Sequence, residues 1–170
     1  MSVTSTAPGN TAASGRPATR RLYSDAERAR RDGTRWTLVQ GILAPVQFVV
    51  FLISLVLVLR YLATGGGYDA ATLSIVAKTF LLLTIMITGA IWEKVVFGQY
   101  LFAPAFFWED VFSFGVIALH LWYLAALLTG AMDPVALMYV ALAAYAAYVI
   151  NAGQFLWKLR MARLDAEGRP

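Results

Sequence analysis

Four long apolar runs, separated by short polar or glycine-rich breaks, dominate the pattern along this chain. They occupy about 36–63, 72–97, 105–129 and 135–157. Roughly 20 apolar residues in a helix cross the hydrocarbon core of a bilayer, so each run is long enough to span. Trp36 and Tyr61 sit near the ends of the first run, where aromatic residues anchor at a membrane interface. Within it Gln40, Gln47 and Ser54 are spaced by seven and fall on one helical face, with Pro45 between the glutamines expected to kink the helix. In the second run Thr84, Thr88 and Trp92 share one face and Gly89 and Glu93 another, while Lys78, near the start, is expected to snorkel to the surface. Glu109, Ser113, Val116 and His120 form one stripe along the third run. Ala143, Ala147 and Asn151 offer a small-residue packing face on the fourth, where Asn151, Gln154 and Lys158 share a polar face.

The breaks fix the organisation. Residues 1–19, rich in Ser, Thr, Ala, Gly and Pro, cannot bury enough apolar surface to order and are read as disordered. No apolar segment follows early enough to make a secretory signal. Segment 20–35, RRLYSDAERARRDGTR, is basic, and Ser24 with Glu27 has the spacing of a capping box, predicting a short surface helix. The connector TGGGY (64–68) lacks the lysine and strand context of a phosphate loop and reads as a plain turn. Pro104 ends any helix before it. A four-span membrane domain over 36–163 and a tail at 164–170 complete the division, with no internal repeat.

Composition sharpens this picture. The chain has 170 residues, is 59% hydrophobic and contains no cysteine; its mean hydropathy is +0.64. Apolar usage exceeds the roughly 45–50% of soluble domains. The net charge of +4 does not point to nucleic acid, because the basic residues gather at the two ends. Seven Arg precede the first run, and Lys158, Arg160, Arg163 and Arg169 follow the fourth; the breaks near Asp69 and Asp133 carry no Lys or Arg. By the positive-inside rule both termini are expected in the cytoplasm, with the connector 98–104 on the same side. The expected fold is all-α, an integral membrane four-helix bundle.

That topology brings Gln40, Glu93, Glu109, Asp110, Asn151 and Gln154 to one membrane depth. Ionisable groups within spans are costly and usually face a cavity. The stretch WEKVVFGQYLFAPAFFWED (92–110) supplies three of these carboxylates, together with Trp92, Phe106, Phe107 and Trp108. A carboxyl group half-buried among aromatic rings is favoured in its neutral form and can donate a proton near neutral pH. The plainer alternative is that Glu93, Lys94, Glu109 and Asp110 mark the headgroup boundary. His120, the single histidine, offers one axial bond to a metal such as the magnesium of a tetrapyrrole, or else a buried hydrogen bond. No hydrolase, nucleotide-binding or zinc-protease pattern is present.

The segments WTLVQGILAPVQF (36–48), TGAIWEKVVFGQYLFAPAFFWEDVFS (88–113) and YVINAGQFLWKLR (148–160) resemble the vinyl bacteriochlorophyllide hydratase family, over about 36–163. The resemblance implies a hydro-lyase of a bacterial inner membrane. It would add water to the C3 vinyl group of a chlorophyllide, giving a 1-hydroxyethyl group in bacteriochlorophyll biosynthesis. Chemistry then suggests roles: Glu109 as acid, and Glu93 or Asp110 as the partner that activates water. Asn151, Gln154 and Gln47 would orient substrate or water, Trp92, Phe106, Phe107 and Trp108 would line a slot, and His120 would ligate the substrate's magnesium. No cofactor is expected, and the expected partners are the tetrapyrrole, the bilayer and other pigment-biosynthesis enzymes. A non-catalytic chlorophyllide carrier or assembly subunit of a photosynthetic complex is the competing class.

Overall fold

A computed structural model describes residues 22–166, with side chains to Leu164. The segment read as disordered, 1–19, lies outside the described residues, as does most of the tail. Five helices follow one another: α1 (Asp25–Gly33), α2 (Arg35–Thr64), α3 (Tyr68–Phe97), α4 (Phe107–Thr129) and α5 (Pro134–Ala166). The last four are long and apolar enough to cross a membrane. Large apolar side chains such as Leu38, Val56, Leu73, Trp122 and Leu128 point outward. Apolar surface of that extent is unfavourable in water and suits lipid, which marks a membrane protein.

The short basic helix expected from the sequence is α1. Ser24 Oγ accepts from the Glu27 amide at 3.3 Å, and the Glu27 carboxylate accepts from the Ser24 amide at 2.7 Å. Those bonds to Ser24, its backbone amide first, hold the Glu27 carboxyl below the usual carboxylate range. α1 lies against the end of α3: Arg30 Nε donates to Val96 O at 2.8 Å, and the buried Tyr23 ring stacks on Phe97. Burial pushes the Tyr23 hydroxyl up to about 12.

Each helix begins or ends where backbone geometry demands it. Gly65, Gly98 and Gly130 take left-handed conformations and cap α2, α3 and α4, a conformation glycine adopts without a steric penalty. α3 begins at Tyr68, directly after Gly67, earlier than the apolar pattern suggests, with Asp69 in its first turn complementing the helix dipole. α4 begins at Phe107 because Ala103–Phe106 forms a turn first, the Phe106 amide donating to Ala103 O at 2.7 Å. α5 continues past Trp157 through Lys158, Arg160 and Arg163, good helix formers whose charges suit a C-terminus. α2 is continuous through Pro45.

α2 packs along α3 and α4 along α5, forming two hairpins that meet less extensively along the α2–α5 and α3–α4 seams. Val58, Ala71, Ile75, Val116, Tyr123, Met138 and Ala141 are among the buried apolar side chains between them. On α5 the packing face runs through Leu137, Ala141, Ala144, Tyr148 and Asn151. The expected small-residue face is therefore corrected: Ala143 is exposed and Ala147 only half-buried. A spacing of four drifts around the helix, whereas alternating steps of three and four follow its 3.6-residue turn.

Candidate active site

The α1 end of the bundle gathers the start of α2, the end of α3, the 98–106 connector, the start of α4 and the end of α5. Glu93, Glu109 and Asp110, all expected at one depth, are buried there. The carboxyl groups of Glu93 and Asp110 are brought side by side by two consecutive residues of the connector. Each accepts a backbone amide from the connector: Ala103 N to Glu93 Oε2 at 3.2 Å, and Phe102 N to Asp110 Oδ2 at 2.7 Å. Phe102 holds a φ of 59°, a left-handed conformation unfavourable for an aromatic residue. The connector thus folds back over the two acids and is pinned by them. This strained segment at a buried acid pair is the kind of backbone that clusters at reactive sites.

Glu109, one residue earlier, faces elsewhere. Lys158 Nζ from α5 donates to Glu109 Oε2 in an ion pair and lies 5.1 Å from the Phe106 ring centroid. One turn deeper, Asn151 Nδ2 donates to Ser113 Oγ at 2.8 Å, tying α5 to α4. The stripe Glu109, Ser113, Val116 and His120 is buried along its whole length. Asn151 Oδ1, Gln154 Oε1 and Gln47 Nε2 have no hydrogen-bond partner among the described residues, leaving three buried polar atoms able to engage a bound molecule. Gln40 Nε2 instead donates to Thr88 Oγ1 at 2.8 Å, and Trp92 Nε1 to Thr37 Oγ1 at 2.9 Å.

The aromatic residues separate into two groups. Phe106 is buried, edge-on to Trp92 at 5.6 Å and stacked with Phe155 at 6.0 Å. Phe107 and Trp108 are 43% and 65% exposed and turn toward the outside of the bundle, with Phe102 and Phe114. Consecutive residues at a helix start cannot all face inward. Trp92 and Phe106 therefore accompany the acids, while Phe107 and Trp108 belong to the outer surface. Lys94 is exposed, donating to Gly98 O at 2.8 Å, which fits the headgroup-boundary alternative.

His120 is buried deeper, its Nδ1 bonded to Val116 O at 2.8 Å and its Nε2 without a partner. The carbonyl can only accept, so Nδ1 carries the proton and Nε2 presents a lone pair. Among the described residues no group of His, Asp and Glu could jointly hold a metal ion.

The expectation for Lys78 is corrected. It is fully buried, with Nζ 3.7 Å from the Tyr148 ring centroid. Because α3 starts at Tyr68, Lys78 sits ten residues, about 15 Å, inside the helix, too deep to reach the nearer surface. Two further contacts were legible only in part from the sequence. Lys158 shared a polar face with Asn151 and Gln154, yet nothing identified Glu109 as its partner. Nothing in the spacing announced that the connector amides would bind Glu93 and Asp110.

Residues 23–161 match the family model described as 2-vinyl bacteriochlorophyllide hydratase. A protein of that name from Cereibacter sphaeroides is 79% identical over 149 residues, covering 87% of this chain and 92% of its own. One of the same name from Rhodobacter capsulatus is 73% identical over 150 residues, covering 88% of this chain and 87% of its own. No solved structure matches.

Proposed function

We propose that this chain, which belongs to the 2-vinyl bacteriochlorophyllide hydratase family, adds water to the vinyl group of a chlorophyllide through the Glu93–Asp110 pair. The carbon numbered 2 in the family's name is C3 in the other numbering of the macrocycle. The capture of these two buried carboxyl groups by consecutive amides of the connector, Phe102 N at Asp110 and Ala103 N at Glu93, carries the assignment.

Two carboxyl groups in contact hold one proton between them, because both cannot be charged at that separation. Such a pair contains an acid and a base at once. Hydration needs both: the acid protonates the terminal vinyl carbon, and the cation at the inner carbon delocalises into the macrocycle. Water then attacks the inner carbon and gives its proton to the carboxylate. One C–H and one C–O bond form, the vinyl π bond is lost, and the pair ends with one proton as it began. The proton need only cross from one carboxyl to the other to reset the site. The reaction is redox-neutral, so the reading invokes no redox cofactor.

Glu93 takes the acid role and Asp110 the base role. The shorter amide bond at Asp110 favours charge there more than the 3.2 Å bond at Glu93 does. Glu109, first choice for the acid on sequence grounds, has Lys158 as counter-ion and serves better as an ion-paired carboxylate. Trp92 and Phe106 bring apolar surface to the macrocycle, and Asn151 Oδ1, Gln154 Oε1 and Gln47 Nε2 orient water or pigment carbonyls.

The axial-ligand role expected of His120 does not accompany this reading. His120 lies ten residues from Asp110, about 15 Å along α4. The vinyl carbons of a chlorin lie only about 7 Å from its magnesium, counting one metal–nitrogen bond and the bonds beyond. The hydration step itself makes no use of His120.

Incubating membranes containing this protein alone with a vinyl chlorophyllide, followed by mass analysis, tests the function. A product heavier by one water is expected; pigment bound but unaltered would instead establish a carrier. The orientation proposed for the inner membrane places the Glu93–Asp110 end in the cytoplasm. Arg28, Arg30, Arg31, Arg35, Lys158, Arg160 and Arg163 flank that end, against Arg60, Asp69 and Asp133 at the other. A reporter active only in the periplasm is expected to stay silent when fused at Gly98, and its activity would reverse the orientation.

A further inference from the structure

A lysine deep inside the bundle has no acidic partner. Lys78 is fully buried, its Nζ makes no hydrogen bond among the described residues, and it lies over the face of the Tyr148 ring. His120, buried on α4, also has an unpartnered nitrogen. Among the residues with described side chains the carboxylates stand elsewhere: Asp25, Glu27 and Asp32 on α1, Glu93, Glu109 and Asp110 beside it, and Asp69 and Asp133 exposed at the opposite end. An ammonium alone in such surroundings is costly, and an incoming anion offsets that cost.

Helix geometry gives its distance from the acid pair. The Asn151–Ser113 bond places those residues at one level, three residues below Asp110 on α4, or about 4.5 Å. Tyr148 is three residues deeper on α5, and His120 seven deeper on α4. On α3 itself Lys78 lies fifteen residues from Glu93, about 22 Å, and the reach of its side chain, about 6 Å, leaves its Nζ roughly 16 Å below the pair at its closest. A chlorophyllide differs from a chlorophyll in carrying its propionate side chain as a free acid. That carboxyl lies on the pyrrole ring next to the one bearing the vinyl group, roughly 11 Å from it by summed bond lengths. A contact of about 3 Å at either end extends that reach to about 17 Å, enough to bridge the two.

We infer that Lys78 binds the free propionate carboxylate of the pigment, fixing the macrocycle in the seam between the two hairpins with its vinyl group at Glu93 and Asp110. This rests on the hydratase reading and deepens it. Lys78 becomes the residue that selects the free acid over the ester.

The test compares a vinyl chlorophyllide with its methyl ester on the wild-type protein, Lys78→Met and Lys78→Arg. The wild type is expected to show a KM at least about tenfold lower for the free acid, as a charge-assisted hydrogen bond provides. Lys78→Met is expected to lose that preference, its KM for the acid rising to that for the ester; Lys78→Arg keeps the preference. Removing a lone buried charge is also expected to raise the melting temperature of the pigment-free Lys78→Met protein, whereas a structural lysine would lower it. A preference that survives in Lys78→Met overturns the assignment. So does equal use of acid and ester by the wild type with Lys78-dependent inhibition by oleate, which would mark a site for a lipid carboxylate. Failure of the wild type to hydrate either pigment would strike the hydratase reading, while pigment affinities for acid and ester would still report on Lys78.

Discussion

Glu93→Gln is expected to lose about a hundredfold to ten-thousandfold in kcat for vinyl hydration, the range a positioned general acid supplies. KM is expected to change little. The amide oxygen of Gln still accepts the Ala103 N–H that pins the connector, so the fold at the site survives while the shared proton does not. Asp110→Asn should fall into the same range, because it removes the carboxylate placed to take the proton from the attacking water. The double variant is expected to lose little beyond either single one, since residues that act as a unit are not additive. Single-turnover rates with pigment affinity measured separately would check this. If both single variants retain wild-type kcat, the carboxyl pair is not the catalyst.

The sequence made the architecture legible because the membrane imposes a strong, one-dimensional constraint. Four apolar runs of spanning length admit few packings, and short connectors make neighbours antiparallel. The Ser24–Glu27 capping box was equally readable, being a local motif whose two bonds lie within four residues. The site was readable as a level but not as a set of pairs. Placing Glu93, Glu109 and Asp110 at one depth followed from topology. Which carboxyl meets which partner depended on helix rotation and on the path of the 98–106 connector. Phe102 in a left-handed conformation is invisible to a residue-type reading, because nothing about Phe predicts it. Lys78 went astray for a related reason: a start displaced by four residues moves a side chain by about 6 Å in depth.

The neighbouring ion pair separates structure from catalysis. Glu109→Gln is expected to keep hydration within about threefold of wild type, because the carboxyl it removes is neutralised by Lys158 and donates no proton in the proposed turnover. Lys158→Met is expected to be the more damaging change. It leaves Glu109, buried with only 9% of its side chain exposed, without a counter-ion. Breaking a fully buried pair costs about 3–5 kcal/mol; Lys158 retains 24% exposure, so water recovers part of that and about 2 kcal/mol is expected. Combining the two substitutions removes the stranded charge and should restore most of the lost stability. Thermal unfolding of the four proteins in detergent forms the double-mutant cycle that reads this coupling. Hydration rates from the same preparations decide the chemistry. A Glu109→Gln loss as large as that of Glu93→Gln would return the acid role to Glu109 and make the Glu93–Asp110 contact a structural clasp on the connector.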